Sequence, residues 1–408
     1  MDINKILKQQ LKKISLGKNE EKELWNIANN FVREMNNNGL RASIGGSLAK
    51  GTLIKKKVQD IDVFVLFDKQ DFEKLDDFLD KSKYKLKKLH GSRDYYQIML
   101  ENIILELIPV IEIKKADEAK NITDVSLMHV NYVKKKINKN KKLSDEIKLA
   151  KSFCFANDVY GAESYIQGFS GYALEVLVIA FGGFLKFIKG IKKKRFIDAE
   201  KQFKNEKQAR KELNESKLTS PLLVIDPTYK YRNVAAGLSE KTFDKFLNSV
   251  NCFLKKPSLN WFEKKEINIK EIEKEAKKKK AQLIKLKLKT DRQEGDIAGT
   301  KMKKLFNFII NNLERKEQVV LKSEFEYSGE KEAMGYLVVK EKNEIEIKGP
   351  EKTMKEAVKK FRNIRKNRGD NVFEKGNCFY ARERVDLKDI FAGLHRFEEE
   401  MGCWFEVL

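Results

Sequence analysis

Three acidic side chains stand in apolar stretches of the sequence, where charge is unusual. Asp60 and Asp62 flank Ile61 at the start of the run IDVFVLF (61–67), and Glu106 lies in ILELIP. Because side chains alternate between the two faces of a strand, Asp60 and Asp62 project from one face, about 7 Å apart. Carboxylates held this close repel each other and need a cation between them, and hard oxygen ligands select Mg²⁺.

Glu106 extends this acidic pair if its strand lies next to theirs. Three carboxylates can hold two metal ions, one to lower the pKa of an attacking hydroxyl and one to neutralise a leaving pyrophosphate. Asp60, Asp62 and Glu106 are therefore the predicted catalytic and metal-binding residues.

A glycine-rich turn precedes the two aspartates by thirteen residues. Gly45, Gly46 and Ser47 lead into a helix predicted over about 48–54. Glycine lets the backbone approach a phosphate closely, and the N-terminus of a helix offers free N–H groups and partial positive charge. Ser47 adds a hydroxyl donor, and Lys50 adds a charge one turn later. A GGS turn alone is more often a plain strand-to-helix connection, but together with the acids it favours a phosphate-binding loop.

The segments around these residues alternate between helices and strands. Two amphipathic helices are predicted in 1–37 and a short strand near 41–44, followed by a buried strand over 61–67. Two more strands are predicted in 98–113, joined by a turn at 101–102. This alternation within one short region indicates a small α/β domain.

Two further regions follow with different character. The pattern from 144 to 256 is helical, and 168–188 is predicted as one buried helix containing a Gly-Gly pair. After residue 258, strands and helices alternate in the order of an α+β domain of ferredoxin or RNA-recognition type, and the last 45 or so residues form a separate tail. These later elements are a strand over 282–289, a helix over 299–315, strands over 318–327, 333–340 and 343–348, and a helix over about 354–363. The sequence thus predicts an α+β multidomain protein with domains 1–140, 141–257 and 258–408.

Composition favours a polyanionic partner. Among 408 residues, 84 Lys and Arg against 61 Asp and Glu leave a net charge of +23. Nucleic acid is the first candidate for such a partner, although an A-rich coding sequence would also enrich lysine. No apolar run approaches the roughly 18 residues of a membrane span, and no secretory signal is recognisable. Four widely spaced cysteines without a CxxC pair predict reduced thiols and a cytoplasmic protein with no membrane partner.

The pattern IGGS…DID…LEL resembles the nucleotidyltransferases of the DNA polymerase β superfamily. Within that superfamily the chain is most similar to the archaeal-type (class I) CCA-adding enzymes. The segment GSLAKGTLIKK resembles their first helix, 158–178 their central domain, and DP…RNVAAGLS in 226–239 their base-recognition segment. KPSLNWF in 256–262 resembles the passage into their C-terminal region. After that the resemblance rests on the order of elements alone.

This resemblance implies template-independent addition of C, C and A to the 3′ end of tRNA. The substrates would be CTP and ATP, with two Mg²⁺ ions, and pyrophosphate would be released. It also implies that 1–140 is a polymerase-β-like catalytic head, that 141–257 is a helical domain contributing to base recognition, and that 258–408 is a body and tail. The body and tail would bind the acceptor stem and T-arm of tRNA, and a homodimer is left open.

The family's functional residues map onto ten positions of this chain. Asp60, Asp62 and Glu106 match the metal-binding acids. The resemblance implies that nucleotide contacts come from Gly46, Ser47, Lys50, His129, Lys151, Tyr160 and Arg232. The guanidinium of Arg232 offers a rigid fork of donors that can face the acceptor edge of C or A.

Two departures and several alternatives remain at this stage. The family usually has Asp where this chain has Glu106, and often Glu where it has Asp60. Other enzymes of the superfamily, adding A only or making poly(A), are the nearest alternative function. An inert RNA-binding scaffold is a third reading, against which the three acids argue. Tyr160 could also be a plain core residue, and the aromatic and basic C-terminal segment (Phe373, Tyr380, Arg382) could either grip RNA or simply pack in a sheet.

Overall fold

A computed structural model describes residues 2–69, 72–91 and 93–408. The chain forms two compact units, Met1–Lys265 and Glu266–Leu408. The predicted head and central domains both fall within the first of these units.

The first unit begins with helices around a five-stranded sheet. Its strands are β1 (Arg41–Ile44), β2 (Gln59–Phe67), β3 (Leu86–Leu89), β4 (Tyr95–Leu100) and β5 (Ile103–Ile111), in the order β1-β2-β5-β4-β3. Only β2 and β5 pair in parallel. The helices are α1 (Ile3–Ile14), α2 (Lys18–Asn37), α3 (Gly46–Lys50) and α4 (Glu73–Asp80). The two N-terminal helices and the strands predicted over 41–44, 61–67 and 98–113 are confirmed.

One predicted helix in this region is wrong in extent. The helix predicted over 48–54 is instead α3, a helix of five residues. It stops at Gly51, whose backbone is left-handed with φ of +71°. Glycine adopts this conformation without a Cβ clash, so it ends the helix where the periodic pattern alone predicted continuation.

The remainder of the first unit packs around a core rich in phenylalanine. Its helices are α5 (Ser126–Lys139), α6 (Lys142–Ala156), α7 (Gly171–Phe181), α8 (Phe184–Gly190), α9 (Glu206–Glu212) and α10 (Glu240–Lys255). Helix α1 joins this core rather than the head sheet, because Ile6 and Leu7 pack in the same cluster as Phe153 of α6. Short 3₁₀ turns lie at 116–118, 122–125, 215–217 and 259–262.

The purely helical prediction for 144–256 is wrong at two places. Three short strands, β6 (Phe196–Asp198), β7 (Leu223–Asp226) and β8 (Tyr229–Asn233), form a sheet in the order β6-β7-β8. Strands this short carry too few residues for a period-of-two pattern to emerge. In addition, the single helix predicted over 168–188 is the pair α7 and α8, bent by 91° at Gly182 and Gly183.

No single helix among the described residues is long and apolar enough to cross a membrane. The bent pair of α7 and α8 reaches the required length and hydropathy only when its two parts are taken together.

The second unit contains two sheets. A four-stranded sheet has the order β10-β11-β9-β15, and a three-stranded sheet has the order β12-β14-β13. Its elements are α11 (Ile269–Lys278), β9 (Gln282–Lys289), α12 (Asp296–Arg315), β10 (Val319–Tyr327), β11 (Glu332–Lys340), β12 (Glu344–Glu351), α13 (Lys355–Asn367), β13 (Asn371–Lys375), β14 (Cys378–Arg384), α14 (Leu387–Leu394), a 3₁₀ turn at 395–397, α15 (Glu398–Met401) and β15 (Trp404–Val407). The α+β character and the order of elements predicted from residue 282 to about 363 are confirmed.

The separate C-terminal tail is a wrong prediction. Strand β14 is the central strand of the three-stranded sheet, and β15 pairs with β9, with Phe405 opposite Leu288. Phe405 is buried, so its burial against the β9 sheet ties this last strand into the unit.

Candidate active site

The three predicted acids lie on one face of the head sheet. Strands β2 and β5 are parallel neighbours, and their register sets Asp62 directly opposite Glu106. Asp60 precedes Asp62 by two residues on β2, so its side chain points to the same face. The apolar residues between them, such as Ile61 and Leu105, point to the opposite face and are fully buried. The alternation that builds the core therefore also gathers the carboxylates.

Each outer acid of this group already has a polar partner. Lys56 Nζ lies 2.6 Å from Asp60 Oδ2, and both side chains are about 39% exposed. Gln97 on β4 donates to Glu106 Oε1 over 2.7 Å. Asp62, between them, has neither kind of partner, and no ion pair or side-chain hydrogen bond to its carboxylate is found in the described part of the chain.

The electrostatic environment disfavours negative charge on Asp62 and Glu106. Burial raises the pKa of Asp62, an effect that the charge of Lys50 partly offsets. Burial and the nearby charge of Asp62 raise the pKa of Glu106 to about 7. Carboxylates with raised pKa values on the face of a sheet are typical of a site that is completed by a cation.

The residues present are compatible with Mg²⁺ in their chemistry. Aspartate and glutamate supply hard oxygen donors, which Mg²⁺ prefers. Within the described ranges, no three His, Cys, Asp or Glu side chains are arranged closely enough to hold an ion as they stand. The contacts of Asp60 with Lys56 and of Glu106 with Gln97 explain this, because each turns a carboxylate toward a protein donor.

The glycine turn wraps directly around Asp62. Gly45 N donates to the Asp62 carbonyl over 2.8 Å. A Cβ on Gly46 would lie 1.6 Å from Asp62 Oδ2, and its φ is +57°. A Cβ on Gly45 would lie 2.3 Å from the ring of Phe64. Both glycines are thus required by the close approach to β2, a reason that the sequence pattern did not reveal. Ser47 follows, partly buried, in the first turn of α3.

Lys50 and Lys151 meet at a third side chain, Glu175. Glu175 Oε2 accepts from Lys50 Nζ over 2.7 Å, and Oε1 accepts from Lys151 Nζ over 2.8 Å. Thr52 also donates to Oε1 over 2.9 Å. The carboxylate is fully buried. Burial alone would raise the pKa of Glu175, but the charges of Lys151 and Lys50 more than offset it and lower the value to about 2.

This arrangement differs from the free cations expected at these two positions. Lys151 is only 4% exposed, and its ammonium is held by Glu175 and Thr52. Lys50 keeps 11% of its side chain exposed. Burial lowers the pKa of Lys151, while the charge of Glu175 favours its charged form. With both lysines protonated, two cations share one carboxylate, and their charge acts on the nearby Asp62.

Tyr160 lies next to this lysine cluster. A Cβ on Gly171 would lie 3.0 Å from the Tyr160 hydroxyl and 3.9 Å from Lys151 Cε, so both side chains reach the N-terminal end of α7. Burial raises the pKa of Tyr160, so its hydroxyl stays protonated and available as a donor.

His129 and Arg232 belong to a second cluster, centred on Asp226. Asp226 Oδ2 accepts from Arg232 Nη1 over 2.8 Å and lies 3.0 Å from His129 Nε2. The ring of Tyr172 stacks on His129 with centroids 3.9 Å apart, and its hydroxyl donates to Asp226 Oδ1 over 3.0 Å. Burial lowers the pKa of His129, and the charge of Lys50 adds to that effect. The same charge partly offsets the burial that raises the pKa of Asp62, so it acts on both clusters.

Sequence reasoning missed the two buried acids at these centres. Glu175 is the only charged residue in the apolar segment GYALEVLVIAF, which was a visible signal. Asp226 stands in the DP pair of 226–239, but nothing local to that segment indicates that His129 and Tyr172 converge on it.

Comparison with known proteins identifies relatives for most of the first unit. The family model of a nucleotidyltransferase domain matches 26–153, and that of the second domain of tRNA nucleotidyltransferase matches 145–263. A CCA-adding enzyme of Nanoarchaeum equitans is 36% identical over 280 residues, which is 67% of this chain and 67% of that protein. CCA-adding enzymes of Saccharolobus islandicus (29% identical) and Pyrococcus abyssi (31%) are similar over 63% and 59% of this chain and 61% and 55% of their own lengths.

Solved structures show a related fold at much lower identity. A cytoplasmic RNA terminal U-transferase superimposes with a TM-score of 0.52 at 11% identity, covering 65% of this chain and 99% of its own. The RNA terminal uridylyl transferase Cid1 gives 0.51 at 11% identity, covering 64% of this chain and 98% of its own. At this identity the likeness concerns the fold alone.

Proposed function

The chain belongs to the family of CCA-adding enzymes, the tRNA nucleotidyltransferases, and from that membership we propose how its residues add CCA. The reaction is the template-independent transfer of CMP and AMP from CTP and ATP to the 3′ end of tRNA, with release of pyrophosphate. The observation that carries the proposal is the set of three carboxylates on β2 and β5, held to one face with the Gly45–Gly46 turn closed around Asp62.

Asp60, Asp62 and Glu106 would hold two Mg²⁺ ions. For this, Asp60 leaves Lys56 and Glu106 leaves Gln97, both of which are single contacts to exposed or partly buried groups. When bound, Mg²⁺ supplies Lewis-acid chemistry that lowers the pKa of an attacking hydroxyl and offsets charge on the leaving pyrophosphate. The raised pKa values of Asp62 and Glu106 favour this assignment, because a bound cation offsets the burial and the carboxylate repulsion that raise them.

The lysine cluster would receive the triphosphate of the nucleotide. Lys50 and Lys151 carry one positive charge more than Glu175 neutralises, and a polyphosphate supplies the missing negative charge. Ser47, and the Tyr160 hydroxyl, which its raised pKa keeps protonated, add neutral donors beside these cations. Gly46 would contribute indirectly, since its lack of a side chain leaves room for the Asp62 carboxylate.

Arg232 would select the base, with His129 beside it. In the described part of the chain, the Arg232 guanidinium meets polar side chains through Nη1, which donates to Asp226 and lies 3.2 Å from His129 Nε2. The Nε and Nη2 groups are therefore left to face an incoming base. A fixed pair of N–H donors matches the acceptors shared by C and A and opposes the N–H groups of U and G.

The net charge of +23 would contribute to binding of the tRNA. A cationic surface neutralises phosphates of a duplex without reading its sequence, which suits an enzyme that treats every tRNA alike. We place the acceptor stem and T-arm against the basic surfaces of the chain, including its C-terminal 258–408 region, and the reaction in the cytoplasm.

The test is incubation of the purified protein with a tRNA lacking its last three nucleotides, Mg²⁺ and labelled nucleotides, singly and together. Growth by C, C and one A, followed by a stop, is the expected result. Addition of A alone to a tRNA ending in CC, or unlimited addition of A, would overturn the proposal in favour of an A-adding enzyme. Binding of tRNA without any incorporation would overturn it in favour of an inert scaffold.

A further inference from the structure

We propose that Asp226 is a positioning residue that fixes the guanidinium of Arg232 and thereby sets base selectivity. This inference rests on the proposed function, because it assigns a partner to the residue that would face the base. Asp226 itself is completely buried, so it acts on the nucleotide only through its neighbours.

The Asp226 carboxylate is saturated with donors from four residues. Oδ2 faces Arg232 Nη1 at 2.8 Å and His129 Nε2 at 3.0 Å. Oδ1 accepts from the Tyr172 hydroxyl over 3.0 Å and from both the backbone N and the hydroxyl of Thr228 over 2.8 Å. A buried carboxylate with this many donors cannot rotate without breaking several hydrogen bonds at once.

The rigidity of the carboxylate passes to Arg232 through one nitrogen atom. Arg232 is otherwise a long side chain with 23% of its surface exposed and several rotatable bonds. Tyr172 and His129 close the other side, since the guanidinium carbon lies 5.9 Å from the Tyr172 ring centroid and Nη1 lies 3.2 Å from His129 Nε2. One oxygen and two stacked rings therefore define a single orientation of the fork.

The charges of this cluster support its role as a fixed device. Burial lowers the pKa of His129, so its ring is neutral near pH 7 and can donate Nε2–H to Asp226. One negative charge on Asp226 then balances one positive charge on Arg232. The pair of Arg232 and Asp226 therefore has no net charge. The N–H groups of the guanidinium that do not contact Asp226 discriminate between bases by geometry.

The substitution Asp226→Asn tests this inference, with Asp244→Asn as the matched control. Asparagine at 226 keeps the shape but cannot accept from Thr228 and from Arg232 with equivalent oxygens, whereas Asp244 is exposed on α10, outside this cluster. The readouts are the ratios of kcat/KM for CTP over UTP and for ATP over GTP on truncated tRNA. We expect Asp226→Asn to lower these ratios by about a hundredfold, since small displacements of an aligned group have effects of that order. Asp244→Asn should keep them.

A second variant keeps the inference falsifiable if Asp226→Asn does not fold. Arg232→Lys retains the charge but has no fork for Asp226 to hold, so it should lose the same selectivity, and Asp226→Asn should add no further loss to it. Unchanged ratios in a folded Asp226→Asn would overturn this inference alone. Unchanged ratios in Arg232→Lys would overturn it together with the base-selecting role of Arg232. A wild-type protein that incorporates no nucleotide would overturn the proposed function, and this inference with it.

Discussion

Buried and half-buried carboxylates occur in two regions of the first unit, with opposite surroundings. On one face of the head sheet, Asp62 and Glu106 have few donors, and burial raises their pKa values. In the core between α6, α7 and the small sheet, Glu175 and Asp226 are fully buried. Burial acts there too, but cationic and hydrogen-bonding neighbours outweigh it and lower both pKa values.

This difference distinguishes carboxylates that lack a positively charged partner from carboxylates that already have one. A carboxylate with its donors in place stabilises the fold and orients the groups around it, as Glu175 does for two lysines. A buried carboxylate without such donors destabilises the fold, and its presence therefore indicates a ligand. The comparison therefore predicts that activity depends on the first group and stability on the second.

Replacement of Asp62 by alanine should have the largest effect on activity. We expect nucleotide incorporation to fall about a thousandfold, equivalent to about 4 kcal/mol, because a carboxylate that supports metal chemistry is worth several kcal/mol. Thermal unfolding should show no loss of stability, since burial disfavours the Asp62 charge. Asp68→Asn is the matched control, because Asp68 follows the other end of β2 and is 82% exposed. Near-normal incorporation by Asp62→Ala would contradict the prediction that activity depends on Asp62 and Glu106.

Replacement of Glu175 by glutamine should have the largest effect on stability. The change leaves Lys50 and Lys151 without their shared counter-charge in a buried place. We expect the free energy of unfolding to fall by about 3 kcal/mol, as measured by denaturant titration. Glu263→Gln removes the exposed pair with Lys13 and should leave the unfolding curve unchanged.

Glu175 should also make the free energy of unfolding depend on pH. The pKa of Glu175 is about 2 in the folded chain against 4.5 for an unperturbed glutamate. A lowered pKa contributes stability above pH 4.5, and that contribution is lost as the pH falls toward 2. The difference in unfolding free energy between wild type and Glu175→Gln should therefore shrink across this window. A constant difference from pH 6 to pH 2 would contradict the assignment.

The substitution Gly46→Ala should reduce activity, because its added methyl group displaces the Asp62 carboxylate. The added Cβ would overlap Asp62 Oδ2, so the carboxylate must shift, and we expect incorporation to fall about a hundredfold. Gly51→Ala is the matched control, because Gly51 also has positive φ but no atom lies within 4 Å of its Cβ position. The control should lose some stability from backbone strain, about 1 kcal/mol, and keep its activity. Equal activity losses in both variants would show that strain, not displacement of Asp62, is responsible.

The exposed ion pair of Lys56 and Asp60 should have the smallest effect. An exposed pair contributes at most about 1 kcal/mol, so Lys56→Met should leave thermal stability nearly unchanged. Because Lys56 competes for Asp60, its removal should lower the Mg²⁺ concentration for half-maximal activity by up to about fivefold. A higher Mg²⁺ requirement would mean that Lys56 assists the site rather than competing with it.

Much of this arrangement was predictable from local sequence. The alternation around Asp60 and Asp62 places them on one face of a buried strand, and the apolar residues around Glu106 indicate a second strand. Whether the two strands are neighbours depends on the order of the sheet, which no local pattern specifies. The parallel β2–β5 register supplies that missing step.

The partners of the site residues were not predictable in the same way. Lys50 and Lys151 were expected from family resemblance to contact nucleotide, and that assignment remains a proposal. Their shared contact with Glu175 joins α3 to α6 and α7, which are distant from α3 in sequence, so only tertiary packing reveals it. The same holds for Asp226, whose donors include His129 from α5 and Tyr172 from α7.

The pairing of β15 with β9 has a consequence for how quickly the second unit folds. Most helices and strands of the second unit lie between β9 and β15 in sequence. The pairing of Phe405 with Leu288 in the four-stranded sheet therefore closes a long loop. Closing a long loop costs entropy before any contact repays it, which slows folding. The hairpin of β13 and β14 lies inside that loop and joins strands that follow each other directly. This hairpin should form early in refolding, while protection of the β9–β15 amides from hydrogen exchange should come last.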